Sequence, residues 1–130
     1  MLLKDKYYKL LKENKLDSNN AVYLLSLYPQ ADVYRGHFPH KPVCPGACNI
    51  ETIRECAEML TGKDLDIKTI KQCRLTAVAS PQICPLLDVI VSVARIEGTS
   101  SYNVVAKICD KETTYMEFKG ELRIKVKVAQ

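Results

Sequence analysis

His37 and His40 are the only imidazoles in this chain, and three carboxylates, Glu51, Glu55 and Glu58, follow them within two dozen residues. The histidines sit in Val33-Tyr-Arg-Gly-His-Phe-Pro-His-Lys-Pro-Val-Cys-Pro-Gly46, where Pro39, Pro42 and Pro45 recur at every third position. That spacing excludes helix or central strand and favours a stiff, extended segment able to present an imidazole rigidly. The periodicity turns helical just beyond Pro45, and the first N–H groups of a helix have no intrahelical partner. A base near neutral pKa beside such donors could remove a proton next to a thioester carbonyl and hold the oxygen that becomes charged. A carboxyl kept neutral by an apolar pocket could then protonate a departing hydroxyl.

These residues leave alternatives open. Spacing alone does not choose between His37 and His40. By 100° steps Glu51, Glu55 and Glu58 share the helix flank opposite Ile50, Ile53, Ala57 and Leu60, the usual signature of a solvated face. Glu51 and Glu55 are like charges one turn apart, which favours protonating one of them, whereas Arg54 favours the ionised form.

The elements that must position these groups follow from the periodicity. Leu3, Tyr7, Leu10 and Leu11 between lysines predict a short amphipathic helix over Met1 to Asn14. Ala21 to Tyr28 reads as a short strand stopped by Pro29. A helix is expected over Ala47 to Leu60, with Gly62 at its C′ position. Strands are expected near Ile67 to Val78, Leu86 to Glu97, Tyr102 to Asp110 and Thr114 to Val128, separated by Ser80-Pro81, Gly98-Thr-Ser-Ser and Asp110-Lys-Glu. The last is the clearest, because Leu122, Ile124, Val126 and Val128 alternate with charged residues. A single helix after the first strand and before an antiparallel run is buried only if the sheet wraps it, an α+β hotdog arrangement filling one domain over residues 1–130.

Composition narrows the function classes. A net charge of +4 is too mild and dispersed for a nucleic-acid protein. No apolar run is long enough to span a bilayer, and early charges argue against a signal peptide, so the expected location is the cytoplasm. The six cysteines show no close C-x-x-C pair, so they are expected to be reduced apolar residues, with no metal and no cofactor.

Gly36-His-Phe-Pro-His-Lys-Pro-Val-Cys-Pro-Gly-Ala-Cys-Asn-Ile-Glu51 resembles the active-site signature of the β-hydroxyacyl–acyl carrier protein dehydratases, in which Gly-His-Phe-Pro, two spaced prolines, a glycine and an acid stand in fixed register. Every fixed position is matched between Gly36 and Glu51. The resemblance implies a dehydratase of hotdog fold with His37 as base, Glu51 as acid and the Gly46 N–H as oxyanion donor. Phe38 and Glu55 would be supporting residues, and His40 falls at a variable position. It further implies an acyl carrier protein (or coenzyme A) thioester substrate and a homodimer or higher oligomer whose site forms across the interface, the Glu51 flank being covered by the second chain. Three departures stand out: His40 for a common glycine, Glu55 for a common glutamine, and Ala79-Ser-Pro-Gln-Ile-Cys-Pro85 where a Pro-Gly-Asp turn is usual. They imply a divergent member serving a specialised acyl or polyketide-type chain. The same fold also carries thioesterases and non-catalytic subunits that bind acyl carrier protein. In the R-specific enoyl-CoA hydratases the acid precedes the histidine, the reverse of the order here.

Overall fold

The computed structural model describes residues 1–35 and 43–126. His37, Phe38 and His40 therefore lie outside the described residues. The chain forms strands β1 (Tyr8–Lys15) and β2 (Asn20–Leu27), a 3-10 turn at Asp32–Arg35, helix α1 (Gly46–Thr61), and strands β3 (Leu65–Leu75), β4 (Leu86–Arg95), β5 (Ser101–Cys109) and β6 (Thr114–Ile124). The strands make one sheet in the order β1-β2-β4-β5-β6-β3, every neighbouring pair antiparallel. The connection from β2 through α1 to β3 runs from the second strand of the sheet to its far edge, so the helix lies across the face it has to cover. This is the expected hotdog fold.

Alternation explains why one face closes on α1. Ala21, Tyr23, Leu25 and Leu27 of β2 are buried at every second position, as are Leu87, Val89, Val91 and Val93 of β4. Val104, Ala106 and Ile108 of β5 and Phe118 and Leu122 of β6 complete that layer, against Ile53, Cys56, Ala57 and Leu60 of the helix. The helix ends at Gly62, whose φ of 70° is the left-handed conformation and whose N–H caps the Glu58 carbonyl. Gly120 is required for a different reason. It faces β3 between two register shifts, and a Cβ there would lie 2.7 Å from the Thr69 carbonyl oxygen.

Two sequence expectations are corrected. The N-terminal helix is absent. Residues 3–8 form a tight turn in which the Leu3 carbonyl accepts the N–H groups of Lys6 and Tyr7, and β1 then pairs with β2. The helical spacing of Leu3, Tyr7, Leu10 and Leu11 comes from that turn plus a register shift between Leu10 and Lys12, which breaks the period of two that marks a strand. The free edge of β2 offers a complete ladder of backbone bonds that a short isolated helix cannot equal. The last strand stops at Ile124, short of the expected Val128, which lies outside the described residues. Val126 is 83% exposed, so the alternation runs on after both the ladder and the core have ended.

Candidate active site

α1 starts without a side-chain cap. Its N-cap is Pro45, held extended at φ −63° and ψ 144°, and among the described residues no side chain accepts from the first-turn N–H groups. These donors, with Gly46 leading them, form the positive end of a helix of 16 residues. A Cβ built on Gly46 would touch Leu75 Cδ1 at 3.4 Å, so the glycine sits close beside the end of β3. The segment leading into the helix is anchored by the Cys44 N–H, which donates to the Ala79 carbonyl at 2.8 Å. Tyr34 and Cys44, which flank residues 36–42 in the chain, meet with the hydroxyl 3.6 Å from Sγ.

Glu51 lies one and a half turns into the helix, and its carboxylate is gripped by Arg54. The guanidinium Nε donates to both carboxylate oxygens at 2.8 and 3.1 Å, and Nη2 donates to Oε2 as well. Arg54 Nη1 also forms an ion pair with Glu58 Oε2 at 2.9 Å and donates to the Leu65 carbonyl at 3.0 Å. Glu58 accepts in turn from the Leu65 N–H at 2.8 Å. One arginine thus holds two carboxylates of the same helix to the start of β3.

Glu55 is fully buried, at 0% exposure. Its carboxyl accepts from the N–H groups of Leu3 (2.9 Å) and Lys4 (3.0 Å) and from the Tyr8 hydroxyl (2.9 Å). Within the flank expected to be solvated, Glu55 is therefore covered by this chain's own N-terminal turn and Tyr8, and Glu58 by the start of β3, whereas Glu51 keeps 21% of its side chain exposed. Helical spacing places the glutamates together but cannot show that a distant segment folds over them.

The two neighbouring carboxyls are driven in opposite directions. Burial raises Glu51, but the hydrogen bonds and charge of Arg54, together with a hydrogen bond from Glu55, outweigh it and hold Glu51 below the ordinary range. Burial also raises Glu55, and the facing Glu51 carboxylate raises it further, against the bonds from Leu3, Tyr8 and Lys4. The pull toward a neutral carboxyl expected at Glu51 thus acts on Glu55, while Glu51 is pulled toward its ionised form. Tyr8 is likewise pushed up, first by burial and then by its acidic surroundings, so it remains a donor.

The arrangement therefore offers a helix end without a side-chain cap, a carboxylate held low one and a half turns along it and a second carboxyl pulled up behind it. Residues 12–117 match the family model described as ApeI-like, the ApeI dehydratases. The chain belongs to the ApeI-like dehydratase family. Among solved structures it resembles the dehydratase heterocomplex ApeI:P from Xenorhabdus doucetiae, at 19% identity and a TM-score of 0.66, covering 88% of this chain and 96% of that one. It also resembles an uncharacterised protein from Erwinia carotovora subsp. atroseptica (16% identity, TM-score 0.58, 90% and 92% covered). A third likeness is to a sigma28-regulated virulence protein from Campylobacter jejuni (13% identity, TM-score 0.65, 89% and 84% covered). No curated protein matches the chain.

Of the site residues expected for a dehydratase of this family, the described structure places Gly46, Glu51 and Glu55 on one helix, while His37 and Phe38 lie outside it. Sequence reasoning missed Tyr8 and the N-terminal turn as the housing of Glu55. A buried carboxylate needs donors, but nothing in the spacing says which distant donors arrive. Among the described residues no group of three or more His, Cys, Asp or Glu side chains is placed to hold a metal. All six cysteines are free thiols, and among the described residues no helix is long and apolar enough to cross a membrane.

Proposed function

We propose that this chain dehydrates a (3R)-hydroxyacyl thioester, carried on acyl carrier protein, to the trans-2-enoyl thioester in fatty acid or specialised acyl or polyketide-type synthesis. The observation that carries the reading is the uncapped start of α1 at Gly46 with Glu51 one and a half turns along it, in a chain of a dehydratase family. Its support in the sequence is the register from Gly36 to Glu51.

In this reading the Gly46 N–H donates to the thioester carbonyl oxygen. His37 takes the proton from the carbon next to that carbonyl, and the electron pair expels the β-hydroxyl. The hydroxyl leaves as water with a proton that Glu51 relays from Glu55, the carboxyl pulled toward its neutral form. Arg54 stabilises the Glu51 carboxylate on either side of the transfer, and the proton held by the imidazolium returns through Glu51 to Glu55, which restores the starting state. The free thiols fit a reducing compartment such as the cytoplasm.

The working unit is taken as two chains, His37 of one meeting Glu51 of the other. The Xenorhabdus doucetiae relative is itself a heterocomplex, so the second chain is either another copy or a related subunit.

A panel of β-hydroxyacyl thioesters on carrier protein and on coenzyme A tests the reading by enoyl absorbance and free-thiol release. Enoyl formation lost at least 10²-fold in His37→Ala is the expected result. Thiol release without enoyl formation would replace dehydration by thioester hydrolysis. Binding of carrier protein with no turnover at any chain length would make the chain a non-catalytic subunit.

A further inference from the structure

A cavity of about 330 Å3 lies against the first turn of α1, with Val43, Leu75, Ala77 and Val78 on its wall. Its polar wall groups can be accounted for one by one. Thr76 Oγ1 donates to the Thr114 carbonyl at 2.6 Å, and Cys44 Sγ lies 3.6 Å from the Tyr34 hydroxyl. Asn49 differs. It is 4% exposed, and its backbone N–H is spent on the Pro45 carbonyl at 3.1 Å. Its carboxamide has no hydrogen-bond partner among the described residues, although buried amides are nearly always bonded. An apolar residue of similar size would suit this wall better as packing. Lining the cavity, the carboxamide can donate to whatever occupies it.

The helix end points to the same ligand. Its first-turn N–H groups are uncapped, and Gly46 stands next to Leu75 of the cavity wall. Asn49 follows Gly46 by three residues, which puts both on one side of the helix, roughly 4.5 Å apart along its axis. A carboxamide NH2 is a donor that keeps its proton and carries no charge, so it meets an acyl oxygen in the ground state and as an enolate alike.

We infer that Asn49 is a substrate-contacting residue whose side-chain NH2 donates to the acyl thioester carbonyl oxygen beside the Gly46 N–H, so that two donors hold that oxygen. This rests on the dehydration proposed above. When the α C–H bond breaks, its proton goes to His37 and its electron pair forms the enolate on this oxygen. Collapse of the enolate restores the carbonyl, makes the α,β double bond and releases the β-hydroxyl, which leaves as water with the proton from Glu51. Charge on the oxygen is greatest between these events, and there the second donor matters most.

Asn49→Leu and Asn49→Asp test this by two readouts in the full chain: dehydration kinetics, and the 13C=O stretching frequency of a bound saturated acyl thioester that cannot react. The expected result is a fall in kcat of about 10²-fold with KM changed far less. The bound carbonyl should also move to a higher frequency than in the unsubstituted protein, and Asn49→Asp should be at least as impaired as Asn49→Leu. Thermal unfolding identifies a variant that fails to fold, in which case Asn49→Ser replaces it. A kcat within threefold of the unsubstituted protein, a rise in KM alone, or an unchanged carbonyl frequency would overturn the inference. If the unsubstituted protein dehydrates no hydroxyacyl thioester, the proposed reaction fails by itself, and the carbonyl frequency still decides the role of Asn49. No acyl thioester bound at all would overturn both.

Discussion

The two polar regions of α1 are built on opposite rules. On the Glu51–Glu55–Glu58 flank every charged group is satisfied from within: Arg54 holds two carboxylates and the Leu65 carbonyl, and the third carboxyl takes two backbone N–H groups and a phenol. At the first turn, two to twelve residues earlier, the N–H groups lack a side-chain cap and the Asn49 carboxamide lacks a partner among the described residues. A saturated network fixes geometry and proton location, whereas open donors beside a cavity are available to a ligand. The helix thus combines a rigid charged wall with a receptive end, and this contrast can be attacked residue by residue.

The largest expected effect on stability is at Glu55. Glu55→Ala leaves the Leu3 and Lys4 N–H groups and the Tyr8 hydroxyl without their acceptor and should cost about 3 kcal/mol, read by urea unfolding. A loss below about 1 kcal/mol would mean that water replaces the carboxyl and the flank is not saturated after all. Arg54→Met should cost about 2 kcal/mol, because it strands Glu51 and Glu58 without their counter-charge. It should also raise the Glu51 carboxyl, seen by 13C NMR titration. An unmoved Glu51 titration would show that Arg54 does not set its charge. Tyr8→Phe removes one of three donors to Glu55 and should cost about 1 kcal/mol.

The smallest effect sharpens the assignment of the proton. Glu55 has a raised folded pKa, so the folded state holds its proton more tightly than the unfolded chain does. Its contribution is complete below the ordinary carboxyl value of 4.5 and is lost as pH rises from there through the raised value. Glu51, held low, contributes in the opposite sense: its stabilisation is present above its ordinary value and is lost as pH falls through the depressed one. Glu55→Gln should therefore abolish a decline of stability with rising pH just above 4.5, leaving the acid-side loss due to Glu51. An unaltered pH profile in that variant would put the proton elsewhere.

Much of this was legible in the chain because it depends on local chemistry. The helix bounds and the glycine after them followed from a repeating apolar stripe and a residue free to adopt positive φ, and β2, β4 and β5 from strand-prone runs bounded by proline and turn signals. The N-terminal strand was hidden because a tight turn and a register shift together imitate helical spacing. The burial of Glu55 was hidden because its donors come from residues more than forty positions away.

The order of residues by itself determined the hotdog frame, the family signature from Gly36 to Glu51 and the start of α1 behind Pro45, since periodicity, proline and register act over a few neighbours. Only the tertiary structure decided which carboxyl is pulled toward its neutral form and which amide lines a cavity. Desolvation and hydrogen bonding depend on what distant segments bring to a side chain, and no spacing along the helix records that.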